Sequence, residues 1–322
     1  MAPIQSRLVP AALEGPVDRV VRSLFGTSWG KARGWIEGGK VRVGGALVTD
    51  TTTRVAAGAE IAVDEVARKP HAQALADGDV VYADAQVVVV AKPPGLSTIP
   101  YDGTETDTLE ARVRAWLERK RLVPRGQRPT LGIVHRLDKE TSGLVVFTRT
   151  WLAKQALSSQ FRHHTVHRLY LAIAHGDVPA RTLRSFFVEN RGDGLRGSRR
   201  GPGRKPPTDG REAITHVARI EPLVGATFVA CRLETGRTHQ IRIHLSESGN
   251  PLVGERVYVR GFRGPLLEAP RLMLHAAELG FVHPATGREM RWEQPLPEDM
   301  RSVLARLSRP DPARGFGGRR ES

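Results

Sequence analysis

Two short helices are predicted near the N-terminus from the spacing of apolar residues. Between residues 17 and 36, apolar side chains recur three or four positions apart, and Gly-Thr-Ser at 26–28 interrupts them. A strand, a glycine pair at 44–45 and further short apolar runs follow as far as Val63, as expected for a small hairpin unit. We therefore predict a compact α/β module over residues 8–63.

A second, larger domain is predicted from residue 80 to residue 307. Residues 64–79 contain proline, alanine and glycine with little periodicity, which is typical of a linker. The strand-like runs beyond them are 87–91, 144–147, 169–174, 215–220 and 227–233, and the helical stretches are 109–120 and 154–161. This mixture predicts an α+β domain, followed by a disordered tail rich in proline and glycine over 308–322.

The charge balance favours a polyanionic partner. The 322 residues include 49 lysines and arginines against 34 aspartates and glutamates, which gives a net charge of +15. Nucleic acid is therefore the first candidate. The basic residues of 112–128 and of a basic, glycine-rich loop over 191–205 either contact phosphates or form ordinary solvated surface.

Several other functions are disfavoured by what the sequence lacks. The longest dense apolar run, residues 87–91, is far shorter than the roughly 18 residues that a membrane-spanning helix needs. The first fifteen residues do not form a secretory signal, so we expect a cytoplasmic protein. Cys231 is the single cysteine, which excludes a disulfide framework and a multi-thiolate zinc site. A Gly-x-Gly-x-x-Gly match at 192–197 has no helix after it, and we predict neither a nucleotide cofactor nor a metal ion.

Two polar stretches carry the candidate chemistry. Asp138 lies between basic residues and just before a Thr-Ser-Gly turn at 141–143, where a substrate-facing carboxylate and an ordinary turn cap both fit. A short helix is predicted over 238–248, and Arg242 lies on its polar face. An arginine that reaches Asp138 would keep the carboxylate ionised. A structural salt bridge is the alternative interpretation.

These stretches resemble the RluA family of pseudouridine synthases. The resemblance rests on His-Arg-Leu-Asp at 135–138 with Thr-Ser-Gly at 141–143, and on Thr-Gly-Arg-Thr-His-Gln-Ile-Arg-Ile-His at 235–244. Shorter motifs in the family's order extend it over residues 80–307. The N-terminal residues resemble the alpha-L RNA-binding module that also occurs in a small-subunit ribosomal protein. One departure is Glu255, which stands where the family usually has aspartate.

The resemblance implies roles for individual residues. Asp138 would be the essential carboxylate, either as nucleophile or as base. Tyr170 would pack on the uracil and take the proton from carbon five, and Arg242 would pair with Asp138. Arg136 would fill the gap that the flipped nucleotide leaves. Further RNA contacts are expected from Arg237, His239, Lys31, Arg33, Lys40 and Arg42.

The same resemblance implies a fold and a reaction. The fold would be a mixed, largely antiparallel sheet with a central catalytic cleft, preceded by a small α/β RNA-binding module. The reaction would convert uridines in RNA to pseudouridine without a cofactor. Large-subunit ribosomal RNA is the expected substrate, because family members with this appended module typically modify it. A transfer RNA isomerase and a noncatalytic ribosome-assembly factor are the alternatives, and intact Asp138, Tyr170 and Arg242 argue against the second. We expect a monomer that binds RNA and no membrane.

Overall fold

The computed structural model of the chain describes residues 4–49, 51, 53–67, 75–101, 105–123, 129–199 and 207–308. Its contacts form two compact units, Met1–Ala74 with Ile99–Ala115 and Leu75–Thr98 with Trp116–Ser322. The predicted tail beyond residue 308 lies outside the described residues, as do residues 68–74 of the predicted linker and residues 124–128 and 200–205 of the basic segments. The boundaries 8–63 and 80–307 stay a prediction.

The first unit contains the two predicted helices and a small antiparallel sheet. In chain order its elements are β1 (Gln5–Leu8), β2 (Gly15–Pro16), α1 (Val17–Phe25), α2 (Trp29–Glu37), β3 (Val41–Val43), β4 (Ala46–Val48), β5 (Arg54–Val55) and β6 (Glu60–Val63). The main sheet has the order β1-β6-β3-β4, and β2 pairs with β5. Gly26 ends α1 in the left-handed conformation, with φ at 61°, and the Ser28 hydroxyl caps α2 by accepting from the Lys31 amide.

The second unit is built on one mixed sheet. Its strands are β7 (Val80–Ala83), β8 (Val87–Lys92), β9 (Gly132–Ile133), β10 (Ser142–Thr148), β11 (His167–His175), β12 (Arg181–Val188), β13 (Gly197–Ser198), β14 (Arg211–Leu223), β15 (Ala226–Leu233), β16 (Leu274–Val282) and β17 (Glu289–Glu293). The helices that follow the first unit's pair are α3 (Leu109–Arg119), which has residues in both units, α4 (Trp151–Arg162), α5 (Gln240–Glu247) and α6 (Glu298–Ser308). Across the described residues, no helix is long and apolar enough to span a membrane.

The strand order confirms the predicted α+β class with a mixed, largely antiparallel sheet. The order is β13-β12-β14-β15-β11-β16-β10-β8-β7, with β9 beside β10 and β17 beside β16. Among the described strands, each pair in this sheet is antiparallel except β10 with β16, which is parallel. The parallel pair lies near the middle of the sheet, where both faces can be covered.

Several elements of the second unit were not predicted. Strands β12, β16 and β17 and helix α6 have no counterpart in the apolar pattern. His275, Glu278 and Gly280 interrupt the apolar residues of β16. This central strand therefore has no continuous apolar run by which it could be predicted. Helix α5 is also shorter than the predicted 238–248, because His239 has a left-handed backbone, with φ at 57°, and cannot continue the helix.

The register at the centre of the sheet brings two site segments together. Gly143 of β10 pairs with Ala276 of β16, and Ala276 pairs on its other side with Tyr170 of β11. Neighbouring strands lie about 4.8 Å apart. Tyr170 is therefore two strands away from the point where the Asp138 loop enters β10.

Candidate active site

Asp138 lies in the loop before β10, and hydrogen bonds hold this loop on both sides of it. The Thr98 hydroxyl donates to the Leu137 carbonyl (2.9 Å) and accepts from the Leu137 amide (3.1 Å). The Lys92 ammonium donates to the Lys139 carbonyl (2.8 Å). The Asp138 side chain itself remains 23% exposed. Hydrogen bonds thus fix the loop backbone, while the Asp138 carboxylate stays partly exposed.

Lys92 anchors this loop from within the protein. Its ammonium also donates to the carbonyls of Pro93 and Leu96, so that three acceptors meet its three N–H groups. Burial lowers the pKa of Lys92 to about 7, and the nearby carboxylates of Glu140 and Asp138 oppose that shift. We infer a structural role for Lys92, because all three of its protons are used to hold backbone carbonyls.

Arg242 joins two carboxylates that lie far apart in the sequence. Its Nη1 donates to Asp138 Oδ2 (3.3 Å). Its Nε and Nη2 donate to Glu255 Oε2 (2.7 Å) and Oε1 (2.8 Å), which is a bidentate pair. Burial by itself would lower the pKa of Arg242, but its bonds to the two carboxylates raise the pKa above the ordinary value. The guanidinium is therefore always charged where it meets the two carboxylates.

The start of α5 is fixed by one buried amide side chain. Gln240 accepts at Oε1 from the Thr235 hydroxyl (2.7 Å) and from the Arg237 amide (3.0 Å). Its Nε2 donates to the Ile214 carbonyl (3.0 Å) and the Thr215 hydroxyl (2.9 Å) of β14. The Thr-Gly-Arg-Thr-His-Gln segment is therefore tied to the sheet, and this placement directs Arg242, two residues later, toward Asp138.

His239 lies beside Asp138, the candidate catalytic carboxylate. Its Nδ1 shares a hydrogen bond with the Tyr258 hydroxyl (2.8 Å), and its Nε2 lies 3.8 Å from Asp138 Oδ1. Burial lowers the pKa of His239, although the charge of Asp138 opposes this. The sequence predicted an RNA contact for His239; the structure places its ring beside the Asp138 carboxylate, and the RNA contact stays a prediction.

Tyr170 lies in β11. Strand β16 lies between β11 and β10, the strand that follows the Asp138 loop. Its side chain is buried. Burial raises the pKa of the Tyr170 phenol, Arg168 opposes this shift, and the Asp138 charge raises the pKa further. The phenol therefore stays protonated at neutral pH. Arg168 is itself buried, donates to the Glu234 carbonyl (2.9 Å) and lies over the Phe161 ring.

His135 and Arg136, which precede Leu137 and Asp138, differ in their surroundings. His135 accepts at Nε2 from the Val146 amide (3.0 Å) and stacks on Phe161 with ring centroids 4.7 Å apart. Burial lowers the pKa of His135 to about 3, so it is a neutral structural residue. Arg136 is exposed, and its guanidinium has no partner within the described part of the chain. Arg136 is therefore available to a ligand.

The basic residues predicted for the N-terminal module all belong to the first unit. The guanidiniums of Arg22 and Arg33 lie 4.9 and 5.5 Å from the ring centroid of Trp29. Arg33 is also paired with Asp18 (3.1 Å). Lys31 lies 3.5 Å from the Glu65 carboxylate, Lys40 donates to the Glu65 carbonyl, and Arg42 donates to the Gly45 carbonyl. Arg237, in the second unit, donates to the Glu212 carbonyl (2.9 Å).

Three residues around the site were not predicted as site residues. The Lys92 ammonium holds the Lys139 carbonyl, next to Asp138. Glu255 binds Arg242, and Tyr258 binds His239; both of these partners face Asp138. The signals were weak, because a lysine before two prolines and a glutamate after a glycine have many uses in proteins. The departure of Glu255 from the aspartate that is usual in the family was the one available hint.

The chain is similar to known proteins over most of its length. Residues 86–247 match the family described as RNA pseudouridylate synthase, and residues 16–61 match the S4 domain. Ribosomal large subunit pseudouridine synthase D of Pseudomonas aeruginosa is 36% identical over 315 residues, which cover 93% of this chain and 94% of the relative. Uncharacterized RNA pseudouridine synthase YlyB of Bacillus subtilis is 33% identical over 317 residues, which cover 93% and 97%.

A solved structure shares the fold. Human RNA Pseudouridylate Synthase Domain Containing 4 superposes with a TM-score of 0.57 at 24% identity, covering 71% of this chain and 93% of the human chain. The sequence resemblance, the match over half of the chain and the full-length relatives agree with one another. The chain belongs to the RNA pseudouridylate synthase family and is an RNA pseudouridine synthase, an isomerase that carries an S4 domain at its N-terminal end.

Proposed function

We propose that this enzyme isomerises specific uridines of large-subunit ribosomal RNA, with Asp138 as its essential carboxylate. The observation that carries the assignment of the site is the contact between Arg242 Nη1 and Asp138 Oδ2, which joins the two sequence motifs at one point. The choice of substrate is supported by the relative from Pseudomonas aeruginosa, which is named for the large ribosomal subunit and is aligned over nearly its whole length.

The reaction moves one bond of the nucleoside. The bond between N1 of uracil and C1′ of ribose breaks, a bond from C5 to C1′ forms, and the proton on C5 is replaced by one on N1. Asp138, held beside Arg242, acts on the sugar as nucleophile or as base. Tyr170, two strands away, packs on the uracil and takes the proton from C5, passing on its own phenol proton, which burial keeps in place at neutral pH. Arg242 orients the carboxylate throughout.

Arg136 supports access to a uridine in structured RNA. Flipping a nucleotide costs a few kcal/mol of unstacking. A guanidinium is planar and can stack where the base was. The side chain of Arg136, two residues before Asp138, is exposed and pairs with none of the described residues, which suits it to this role.

The N-terminal basic residues are expected to act on affinity and not on the chemical step. Replacing Arg33 and Arg42 together by alanine should weaken RNA binding and reduce the salt dependence of log Kd by up to about 1 for each phosphate that the side chains neutralise. The rate of a single turnover at saturating enzyme should stay within twofold of wild type. Binding titrations at several salt concentrations test this, and a large fall in the saturating rate of the folded variant would contradict it.

Activity is expected to need no metal ion or cofactor. The isomerisation involves no net redox change, and across the described residues no group of three or more His, Cys, Asp or Glu side chains could hold a metal. Enzyme dialysed against a strong chelator should retain its rate, with the RNA shown to remain folded. A loss that a divalent ion restores would disprove this expectation.

The substrate assignment is tested by mapping pseudouridines in cells with and without the gene. We expect sites in large-subunit ribosomal RNA to disappear and to return with the wild-type gene. Loss confined to transfer RNA would favour the alternative substrate. A chain that binds ribosomal RNA but forms no pseudouridine on any native RNA would favour the assembly factor.

The proposed enzyme consists of two domains joined by a linker. We assign residues 8–63 to the RNA-binding module, residues 64–79 to a linker and residues 80–307 to the catalytic domain. We expect a monomer, because one chain supplies all of the proposed catalytic residues, and we expect it to act in the cytoplasm. Sedimentation of the purified enzyme with and without RNA measures the oligomeric state.

A further inference from the structure

We propose that Glu255 is a positioning residue that sets the place of both groups facing the Asp138 carboxylate. This inference rests on the proposed function, in which Asp138 is the essential carboxylate and Arg242 its partner. Glu255 does not touch Asp138, and its side chain is fully buried. Two separate chains of contacts lead from it to the two oxygens of Asp138.

The first chain of contacts runs through Arg242. An arginine side chain has several rotatable bonds, and a bidentate carboxylate pair restricts them strongly. With Nε and Nη2 bound to Glu255, Nη1 is the nitrogen that reaches Asp138 Oδ2. The negative charge of Glu255 also balances the guanidinium, so Asp138 does not have to supply the whole counter-charge.

The second chain of contacts runs through Tyr258 and His239. Glu255 Oε1 accepts from the backbone amides of Arg256 (3.0 Å), Val257 (2.9 Å) and Tyr258 (3.4 Å). These bonds fix the turn that presents Tyr258. The Tyr258 hydroxyl bonds to His239 Nδ1, which leaves His239 Nε2 at 3.8 Å from Asp138 Oδ1.

The backbone that carries Glu255 has little freedom to move. Gly254 has a φ of 82°, and a Cβ at this position would lie 1.9 Å from the Arg271 carbonyl oxygen. The chain is therefore pressed against the segment that leads into β16. Burial by itself would raise the pKa of Glu255, but Arg242 and the backbone amides lower it, so the carboxylate is charged when it holds both contacts.

The test is Glu255→Gln, which keeps the size of the side chain but removes its charge and one acceptor. Single-turnover rates are measured at saturating enzyme on total RNA from cells lacking the gene. We expect the rate to fall on the order of 100-fold, since a misplacement of about 1 Å can cost that much. RNA affinity should stay within twofold, because the Glu255 side chain is fully buried and offers no surface to RNA.

Two further variants separate positioning from folding. Glu255→Asp keeps the charge on a side chain that is one methylene shorter, and we expect an intermediate loss of about 10-fold. Glu298→Gln is the control, because Glu298 is an exposed glutamate at the start of α6 and pairs with Arg301 of the same helix. Its rate should equal that of wild type. A merely structural role for Glu255 would lower the folded fraction, measured by circular dichroism, and leave the rate per folded molecule unchanged.

The outcomes distinguish this inference from the proposed function. A folded Glu255→Gln enzyme with a rate within twofold of wild type would overturn the inference, and so would a Glu255→Asp enzyme that is slower than Glu255→Gln. If Glu255→Gln does not fold, the rate of Glu255→Asp decides, and a wild-type rate would overturn the inference. Retained activity of Asp138→Asn would instead overturn the proposed function on which it rests.

Discussion

Replacing Asp138 by asparagine will lower pseudouridine formation by on the order of 10⁴-fold or more, while RNA affinity stays unchanged or rises slightly. Asparagine keeps the size of the side chain but can serve neither as nucleophile nor as base. It also loses the ionic part of the pairing with Arg242. Removing a negative charge from a surface that binds a polyanion does not weaken binding.

The measurement pairs product and binding on one preparation of enzyme. Pseudouridine is quantified by nucleoside analysis, and affinity is measured by titration at fixed salt. Asp177→Asn is the matched control, because Asp177 is an exposed aspartate paired with Arg219 (2.7 Å), and its rate should equal that of wild type. Activity retained by Asp138→Asn would show that another group carries the chemistry.

Replacing Gly143 by alanine will destabilise the second unit by about 3 kcal/mol or more. Gly143 has a φ of 114°, which side chains rarely adopt. A Cβ there would lie 2.2 Å from the Ala276 carbonyl oxygen and 2.6 Å from the Ala276 nitrogen. Because these are backbone atoms of β16, the strand has to move away, and the parallel pair between β10 and β16 is broken.

Thermal unfolding measures this effect. At about 2–4 °C for each kcal/mol in a unit of this size, the midpoint should fall by roughly 6–12 °C. Gly249→Ala is the matched control: Gly249 also has a positive φ, 82°, but a Cβ there meets no atom within 4 Å. It should cost about 1 kcal/mol. Equal midpoints for the two variants would mean that close approach of β10 and β16 is unimportant.

The sequence alone determined the elements that depend on near neighbours. Helices α1 and α2 follow from the spacing of apolar side chains and from the stop at Gly26 and Ser28, and the hairpin of β3 and β4 follows from two glycines. Asp138 and Arg242 were also recognisable, because each lies within a continuous motif. In these cases the information lies within about ten residues of chain.

Only the tertiary structure decided how these pieces make a site. Asp138 and Arg242 are 104 residues apart, and their contact depends on the register of β10, β16 and β11, which no local pattern encodes. The central strand β16 was not predicted at all, because its polar residues are buried by partners from elsewhere in the chain. His275, for example, bonds to Ser142, 133 residues away.

The same limit applies to Glu255 and His239. In the sequence Glu255 was no more than a departure from the aspartate that is usual in the family, and His239 was assigned to RNA contact. Their places beside Arg242 and Asp138 come from the folding of the 254–258 turn against α5. Such contacts are set by packing and strand register over the whole domain, and for that reason the motifs predicted the candidate residues while only the structure showed the contacts around them.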